Sequence, residues 1–139
     1  MPIFSIAKTI STKGNSDCHN ITKDVQSAVT ESGISRGIAT VFIPGATAGV
    51  TTIEFEDGVV SDLSSAMGRL IPENIQYQHN KLCKDNNGHS HIRASLIGPS
   101  LTVPFINKRL QLGTWQQIAL VDFDTRARNR EYLINIIGE

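Results

Sequence analysis

Three of the four histidines in this 139-residue chain lie close together in sequence, at His79, His89 and His91. Histidine has an unperturbed pKa of about 6.5, close to neutral pH. A cluster of imidazoles can therefore transfer protons, hold a metal ion or pair with an anionic oxygen. If the protein has a catalytic or ligand-binding site, we expect it in this segment.

The local structure around His89 decides which of these imidazoles can act on one ligand. In a helix over residues 89–97, His89 and His91 point about 200° apart. His91 then faces inward with His79, while His89 points elsewhere or lies at the helix cap. A surface or hydrogen-bonded structural role is the alternative for each histidine. In an extended segment His89 and His91 share a face and form a chelating pair. The apolar spacing and a stop at Gly98 indicate the helix.

Imidazoles and carboxylates are the usual protein ligands of zinc and other divalent ions. His79, His91, Glu54 and Cys83 could form such a site, although their spacing matches no recognised metal motif. A divalent ion, Zn²⁺ or Mg²⁺, is a candidate cofactor on this ground alone, with His79 and His91 as its candidate ligands. A carboxylate beside a histidine can also orient the ring or act as a base, which makes Glu54 and Asp62 candidates. An ordinary polar residue on a half-exposed strand is the alternative for Glu54.

The only tryptophan, Trp115, follows a flexible Gly113-Thr114 step at the start of a predicted strand. Its indole ring can stack on a flat heterocycle, and Gln116 can form hydrogen bonds with ring heteroatoms. Packing in the core or between subunits is the alternative for a lone tryptophan.

Arg126, Arg128 and Arg130 occupy every second position after Asp122 and Asp124. In an extended segment the three guanidinium groups share one edge and could bind phosphate oxygens in a bidentate manner. Ion pairs with the two aspartates are the alternative. Neither glycine-rich phosphate motif, GxxxxGK[ST] or GxGxxG, occurs, so the sequence does not predict a nucleotide-cradling loop.

The composition limits the partners and the compartment. The chain has 13 basic and 13 acidic residues, no formal net charge and a pI near 6.9. That balance creates no field for a phosphate backbone or an anionic lipid surface, so we expect neither nucleic acid nor a membrane as partner. The first residues show no charged leader before an apolar run. We expect a cytosolic (cytoplasmic) protein with Cys18 and Cys83 as free thiols.

The strands and helices predicted around these residues, together with the chain length, indicate a single α+β domain over residues 1–139. Alternation and β-branched runs indicate strands at residues 3–10, 38–43, 50–55, 101–105, 110–112, 115–123 and 132–137. Helical spacing and end signals indicate helices from residues 20–22 to Gly33, from Asp57 to near Pro72, and over 89–97.

Three details of this arrangement bear on the site. Strands 38–43 and 50–55 are predicted to form a hairpin through Gly45-Ala46-Thr47. The polar stretch 72–88 shows no periodicity and is predicted to be a long loop, where function is often found. Residues 118–121 are apolar on both faces and predict a central strand that is covered on both sides.

A series of short motifs along nearly the whole chain carries a resemblance to a known family. The motifs are Thr47-Ala48 with Thr51 to Glu54, Asp62-Leu63, Tyr77-Gln78-His79, Asn87 with His91, Leu96 to Ser100, Val103-Pro104, Leu112 to Gln116, and Asp124 with Arg126 to Arg130. Together they resemble the YjbQ family. Bacterial members of that family are described as having a secondary thiamine-phosphate synthase activity.

The resemblance implies an α+β fold of β-sandwich-like mixed or antiparallel sheets with about three helices, assembled as a homotrimer with sites near subunit boundaries. It implies a catalytic group of His79, His91, Glu54 and Asp62, and a ligand-binding group of Thr47, Asn87, Thr114, Trp115, Gln116, Arg126 and Arg128. Many members have His-Thr-Ser where this chain has Gly45-Ala46-Thr47. The chain therefore looks like a variant subgroup without a histidine often taken for a metal or catalytic group, for which His89 could compensate.

The reaction that the resemblance implies is thiamine-phosphate synthesis, in which a thiazole nitrogen displaces diphosphate from an aminopyrimidine methyl group. The site would position a small phosphorylated molecule and stabilise the leaving charge. His79 and His91 would donate hydrogen bonds to the departing oxygens, Arg126 or Arg128 would add positive charge, and Trp115 would stack. Two other functions fit the same residues: non-catalytic binding of a small anion or metabolite, and divalent-metal-dependent hydrolysis.

Overall fold

Two antiparallel sheets and four helices make up the fold, and the computed structural model describes all 139 residues. The strands are β1 (Ile3–Thr12), β2 (Asp17–Asn20), β3 (Arg36–Phe42), β4 (Ala48–Glu54), β5 (Ser100–Ile106), β6 (Arg109–Leu110), β7 (Gln116–Asp122) and β8 (Arg128–Gly138). The helices are α1 (Thr22–Ser32), α2 (Asp57–Leu70), α3 (Gln78–Leu82) and α4 (Gly88–Ile97). The predicted α+β class is confirmed, with four helices instead of about three.

The two sheets enclose the main core. One sheet has the strand order β1-β8-β3-β5-β6, and the other has the order β2-β7-β4. Side chains along a strand alternate between its two faces, so the inward residues, such as Val41 and Ile134, are fully buried. Helix α1 adds Val25 and Val29 to the same cluster. Strand β7 is central in its sheet and buried over residues 118–122, as predicted.

The helix ends follow local chemistry. Helix α1 ends at Gly33, whose φ of +73° lies in the left-handed region that favours glycine. Helix α2 begins after Glu56, whose carboxylate accepts hydrogen bonds from two backbone N–H groups of the first turn. Helix α4 begins after Asn87 and ends before Gly98, which confirms the helix predicted over residues 89–97.

The hairpin predicted through Gly45-Ala46-Thr47 is wrong. Strand β3 belongs to the five-stranded sheet and β4 to the three-stranded sheet, so the chain crosses between sheets at this point. Pro44 has no N–H for a ladder hydrogen bond, and Gly45 adopts a φ of +123°, which favours glycine. The N–H of Ile43 instead donates to the carbonyl oxygen of Pro99 at 2.8 Å.

Two short elements were absent from the sequence prediction. Strand β2 has four residues, too few to show alternation, and it pairs with β7 at the edge of the smaller sheet. Helix α3 has five residues and lies inside the stretch 72–88 that was predicted to be a loop. Helices this short have no apolar stripe to detect. The omission matters because α3 carries His79.

Both cysteines are free thiols, as predicted. Cys18 on β2 is half-buried, and burial together with the nearby charge of Asp17 raises the pKa of its thiol to about 11. Cys83 is exposed immediately after α3. None of the four helices is both long enough and apolar enough to cross a bilayer.

Candidate functional site

Helices α3 and α4 bring two of the predicted histidines together. His79 lies on α3 and His91 on α4, and their ring centroids are 4.4 Å apart with the planes tilted by 58°. Asn87, immediately before α4, holds the first ring, because Asn87 Oδ1 lies 3.0 Å from His79 Nε2. An amide oxygen can only accept a hydrogen bond, so this contact places a proton on His79 Nε2. In the neutral ring, Nδ1 is then the acceptor.

Asp124, just after β7, anchors this arrangement. Its Oδ1 accepts hydrogen bonds from Asn87 Nδ2 at 3.3 Å and from a backbone N–H at 2.8 Å. Its Oδ2 accepts from Thr47 Oγ1 at 3.0 Å and from Arg128 Nη1 at 2.6 Å. Because a carboxylate only accepts, Asn87 must turn its amide nitrogen towards Asp124 and its oxygen towards His79. A chain of contacts therefore connects a buried carboxylate to an imidazole.

A second buried ion pair lies next to Asp124. Asp122 is fully buried and Arg130 is 5% exposed, and the guanidinium donates from Nε to Asp122 Oδ2 at 2.7 Å and from Nη2 to Oδ1 at 2.9 Å. Thr12 Oγ1 adds a hydrogen bond to Asp122 Oδ2 at 2.5 Å. Thr47 joins the two pairs, since its hydroxyl accepts from Arg130 Nη2 at 2.6 Å and donates to Asp124.

These contacts keep both aspartates ionised. Burial by itself raises the pKa of Asp122, but hydrogen bonds from Arg130 and Thr12 and the arginine charge outweigh it. The pKa of Asp122 therefore lies below its ordinary value. The same balance holds for Asp124, where burial is outweighed by its hydrogen-bond donors and by the charge of Arg128. The network thus contains two carboxylates and two guanidinium groups, all charged at neutral pH.

His89 is separate from the histidine pair. It is 1% exposed, its Nδ1 is fully buried with no hydrogen-bond partner, and its ring centroid is 6.3 Å from that of Tyr77. Burial lowers the pKa of His89, and the charge of Arg93 lowers it further, while Glu73 and Asp124 act in the opposite direction. These are the properties of a structural residue, the alternative that the sequence left open for His89.

Two clefts adjoin the histidine pair. The arginine cleft, of about 220 Å³, is lined by Asp85, Asn87, Asp124, Thr125, Arg126 and Arg128. The glycine cleft, of about 190 Å³, is lined by Gly45, Ala46, Ala48, His91, Ala94, Ser95 and Pro99. Asn87 connects the arginine cleft to His79, and His91 itself lines the glycine cleft. Three larger surface hollows, of about 390, 690 and 600 Å³, have no histidine in their linings.

The two predicted carboxylates are not at the histidine pair, contrary to expectation. Glu54 is the last residue of β4, and Ala48, which lines the glycine cleft, is the first. At a rise of roughly 3.3 Å per residue, the two positions are about 20 Å apart. Asp62 is exposed in the first half of α2, whereas Arg93 on α4 binds the carbonyl oxygen of Ile71 beyond the other end of that helix.

The residues around Trp115 also lie at the far end of β4. Gln116 pairs with Glu54 in the β4–β7 register, whereas Asp122 pairs with Ala48. Trp115 is 72% exposed, and Thr114 is exposed beside it. The predicted site residues of one chain therefore form two groups. Thr47, Asn87, Arg126 and Arg128 accompany the histidine pair, and Glu54, Thr114, Trp115 and Gln116 lie at the other end.

Three residues of the network were not predicted as site residues, namely Thr12, Asp122 and Asp124, and Arg130 was considered as a phosphate ligand with ion pairing as the alternative. The alternating acidic and basic positions were a signal for ion pairing, and the structure confirms ion pairs for Arg128 and Arg130, while Arg126 stays exposed. Thr12 gave no signal, because 110 positions separate it from the aspartate that it binds.

The residues present do not fit a metal site closed by protein ligands. Structural zinc sites use four protein ligands and catalytic sites use three. The pair contributes two imidazoles, of which His79 already contacts Asn87, and Gly45 beside them offers no side-chain ligand. No group of three His, Cys, Asp or Glu side chains converges in the chain. The geometry therefore supports no step through a divalent ion.

The fold and the site define a class of small α+β proteins with two antiparallel sheets and a histidine pair between two short helices. A YbjQ-like protein of unknown function from Sulfolobus solfataricus has the same fold, with a TM-score of 0.94, 29% identity and 99% of both chains covered. An uncharacterized conserved protein of the YjbQ/UPF0047 family from Clostridium acetobutylicum has a TM-score of 0.87 and 37% identity, over 95% of this chain and 99% of that one.

Sequence comparison gives the same result. A UPF0047 protein from Methanothermobacter thermautotrophicus is 34% identical over 139 residues, which cover 100% of this chain and 95% of the relative. The UPF0047 protein YugU from Bacillus subtilis is 33% identical over 130 residues, or 93% and 96% of the two chains. The family model YjbQ, described as UPF0047 protein YjbQ-like, matches residues 7–139. The chain belongs to the YjbQ/UPF0047 family, which confirms the resemblance found in the sequence.

Proposed function

We propose that this protein binds a small phosphorylated heterocycle at the histidine pair and catalyses a reaction of the thiamine-phosphate synthase type. The observation that carries the proposal is the proximity of the His79 and His91 rings, whose centroids are 4.4 Å apart, beside a cleft that contains Arg126 and Arg128. Guanidinium and protonated imidazole groups form strong charge-assisted hydrogen bonds with phosphate oxygens, and a neutral imidazole N–H also donates to them. Their grouping favours a ligand with phosphate or diphosphate.

In such a reaction the thiazole nitrogen forms a bond to the aminopyrimidine methylene carbon. The carbon–oxygen bond to diphosphate breaks, and its electron pair leaves with the diphosphate. The catalytic task is to hold the two molecules in line and to stabilise the charge that develops on the departing oxygens. Both tasks need donors of fixed orientation, which the chain from Asp124 through Asn87 to His79 gives to one of the two rings.

The two imidazoles have different roles in this proposal. His91 forms no hydrogen bond through its ring within the chain, so its neutral ring has an N–H to donate to a departing oxygen. His79 already donates from Nε2 to Asn87, so it donates to the ligand from Nδ1 only as an imidazolium. Arg126, which is exposed and outside the ion pairs, contributes positive charge, while Arg128 is already paired with an aspartate.

The direct test is the formation of thiamine phosphate from an aminopyrimidine diphosphate and a thiazole phosphate by the purified protein. His79→Ala and His91→Ala are each expected to lower kcat/KM by about 100-fold, the usual loss for one donor to a developing charge. His19→Ala is the matched control, because His19 lies on β2 and lines neither cleft, and its rate stays within about twofold of the wild-type rate.

Two results would contradict the mechanism. Unchanged rates in both variants would remove the histidine pair from the chemistry. Thermal stabilisation by the substrates without any product would identify the alternative, a protein that binds a small anion or metabolite without turnover.

We also propose that the protein acts as a homotrimer in the cytosol. Phe55 and Trp115, at the end of β4 away from the histidines, are 36% and 72% exposed, and exposed apolar surface favours an interface. Within one chain Trp115 is about 20 Å from the glycine cleft, so stacking of its indole ring on the ligand requires a neighbouring subunit. The two free thiols accord with a reducing compartment.

A further inference from the structure

The guanidinium group of Arg130 is only partly used by the buried network. Its Nε and Nη2 bind Asp122 and Thr47, but its Nη1 has no hydrogen bond or ion pair. The Arg130 side chain is 5% exposed. Its Nη1 therefore keeps two N–H groups without an acceptor in the chain, on a cation that is nearly buried.

This free nitrogen faces Gly45. A Cβ atom on Gly45 would lie 3.0 Å from Arg130 Nη1, which is closer than ordinary van der Waals contact. Any side chain at this position would therefore lie against that nitrogen. Glycine leaves the nitrogen open, and the φ of +123° at Gly45 is a conformation that other residues disfavour.

The bend that contains Gly45 adds backbone donors. The N–H groups of Gly45, Ala46 and Thr47 donate to no acceptor within the protein. Gly45 and Ala46 line the glycine cleft together with His91. Successive free amides beside a guanidinium group are a donor set suited to an anion.

The charge and size of the glycine cleft select the type of ligand. No carboxylate lines this cleft, whereas Asp85 and Asp124 line the arginine cleft. An anion in this cleft therefore meets no carboxylate of the lining, while the charge of the neighbouring Arg130 is shared with Asp122 and Asp124. The volume of about 190 Å³ is below the range of roughly 300–1,000 Å³ that is typical of whole drug-sized ligands. It suits one phosphate group on a larger molecule.

We propose that the glycine cleft is an oxyanion subsite, in which the amides of Gly45 and Ala46 and the ring of His91 bind the phosphate of a small phosphate ester, while the charge of Arg130 next to Gly45 favours the anion. The identity of the ester rests on the function proposed above. A reaction that makes thiamine phosphate handles two anionic groups, the departing diphosphate and the phosphate that stays on the thiazole. The arginine cleft receives the first, and the glycine cleft receives the second.

The test uses inorganic phosphate as the probe and Ala46 as the position to change. Ala46 is exposed at the cleft, so a polar side chain fits there without disturbing the core. Ala46→Asp places a carboxylate beside the free donors and is expected to weaken phosphate binding about tenfold in titration calorimetry. Ala46→Asn has nearly the same size without the charge, and its Kd is expected to stay within about threefold of wild type.

Two further experiments test which molecule carries the bound phosphate and which of the two clefts binds it. Thiazole phosphate is expected to compete with inorganic phosphate, while the unphosphorylated thiazole alcohol does not. Arg126→Ala is expected to slow thiamine phosphate formation and to leave the phosphate Kd within about threefold, because Arg126 lines only the arginine cleft.

Equal phosphate affinities for Ala46→Asp and Ala46→Asn would overturn the oxyanion subsite. So would a loss of phosphate binding in Arg126→Ala alone, which would place the phosphate in the arginine cleft and leave the proposed function intact. A protein that binds phosphate in the expected pattern but forms no thiamine phosphate would support the oxyanion subsite. The same result would refute the proposed thiamine-phosphate synthase reaction.

Discussion

At one end of the β4–β7 pair Ala48 lies opposite Asp122, and at the other end Glu54 lies opposite Gln116. The first end, which we call the buried-charge end, leads into two ion pairs whose carboxylates are at most 4% exposed. The second, the tryptophan end, has an exposed carboxylate and an indole ring that is 72% exposed. One ladder thus joins two very different chemical environments.

The difference shows what makes a residue suitable for catalysis. Glu54 and Trp115 are conspicuous in the sequence, but nothing in the chain fixes their side chains in one orientation. Asn87 and His79 are held by Asp124, which is itself held by four donors. Groups that keep their orientation need no reorganisation when charge develops in a reaction. The buried-charge end is therefore the end that can position a substrate within a single chain.

The largest expected effect is on the free energy of unfolding. It tests whether the buried ion pairs stabilise the buried-charge end more than exposed residues stabilise the tryptophan end. Asp122→Ala removes the acceptor of a buried guanidinium and is expected to lower the free energy of unfolding by about 3–5 kcal/mol. Glu54→Ala, at the tryptophan end, removes an exposed carboxylate and is expected to change it by about 0.5 kcal/mol or less. Urea denaturation of both variants measures the contrast. Similar losses of unfolding free energy in the two variants would show that the buried ion pairs do not stabilise the buried-charge end.

A smaller expected effect is the pH dependence of the free energy of unfolding that arises from His89, next to the buried-charge end. Burial lowers the pKa of folded His89, so the unfolded chain takes up the proton first as pH falls. Stability from neutral His89 is complete above its unfolded pKa of about 6.5 and is lost as pH falls towards the lower folded value. His89→Gln is expected to flatten the decline in the free energy of unfolding between about pH 7.5 and about pH 5.5.

The aspartates do not obscure that measurement. The pKa values of Asp122 and Asp124 are also lowered by folding, so their contribution is present above about pH 4 and is lost only in stronger acid. His19→Gln is the control, because His19 lies on β2 outside the α3–α4 region, and it should keep the decline that His89 causes. A decline that persists unchanged in His89→Gln would assign it to another group.

The smallest expected effect on folding is at the tryptophan end. Trp115→Ala removes little packing within the chain, so at concentrations where the protein is monomeric the free energy of unfolding should change by about 0.5 kcal/mol or less. In sedimentation velocity, by contrast, the variant should show a smaller mass than the wild type at the same concentration. Identical sedimentation of the two proteins at every concentration would exclude Trp115 from a subunit interface.

Local signals in the sequence were sufficient for some parts of the site. The stop at Gly98 and the apolar spacing predicted the helix over 89–97, and that helix separates His89 from His91 as its geometry requires. The apolar run 118–121 predicted the buried strand that ends at Asp122. In each case the information lies within one turn or one strand, where neighbours in sequence are neighbours in space.

Contacts between distant parts of the chain could not be predicted. Pro44 and Gly45 resembled a hairpin turn, and only the presence of a second sheet makes that segment a crossing. The contact between Thr12 and Asp122 joins positions on different sheets. The family resemblance grouped Glu54 with the histidines, but the extended length of β4 puts them at opposite ends. A motif can name the residues of a site without showing which of them meet in one chain.

The position of β8 has a consequence for how the protein is made. This strand follows every other strand in sequence, yet it lies between β1 and β3 and brings Arg130 to Asp122. While the ribosome is still making the chain, β1 and β3 have no partner between them and the carboxylate of Asp122 has no guanidinium. The main sheet and the charged network can therefore be completed only after β8 has been synthesised, through pairings of high contact order that are slow to form.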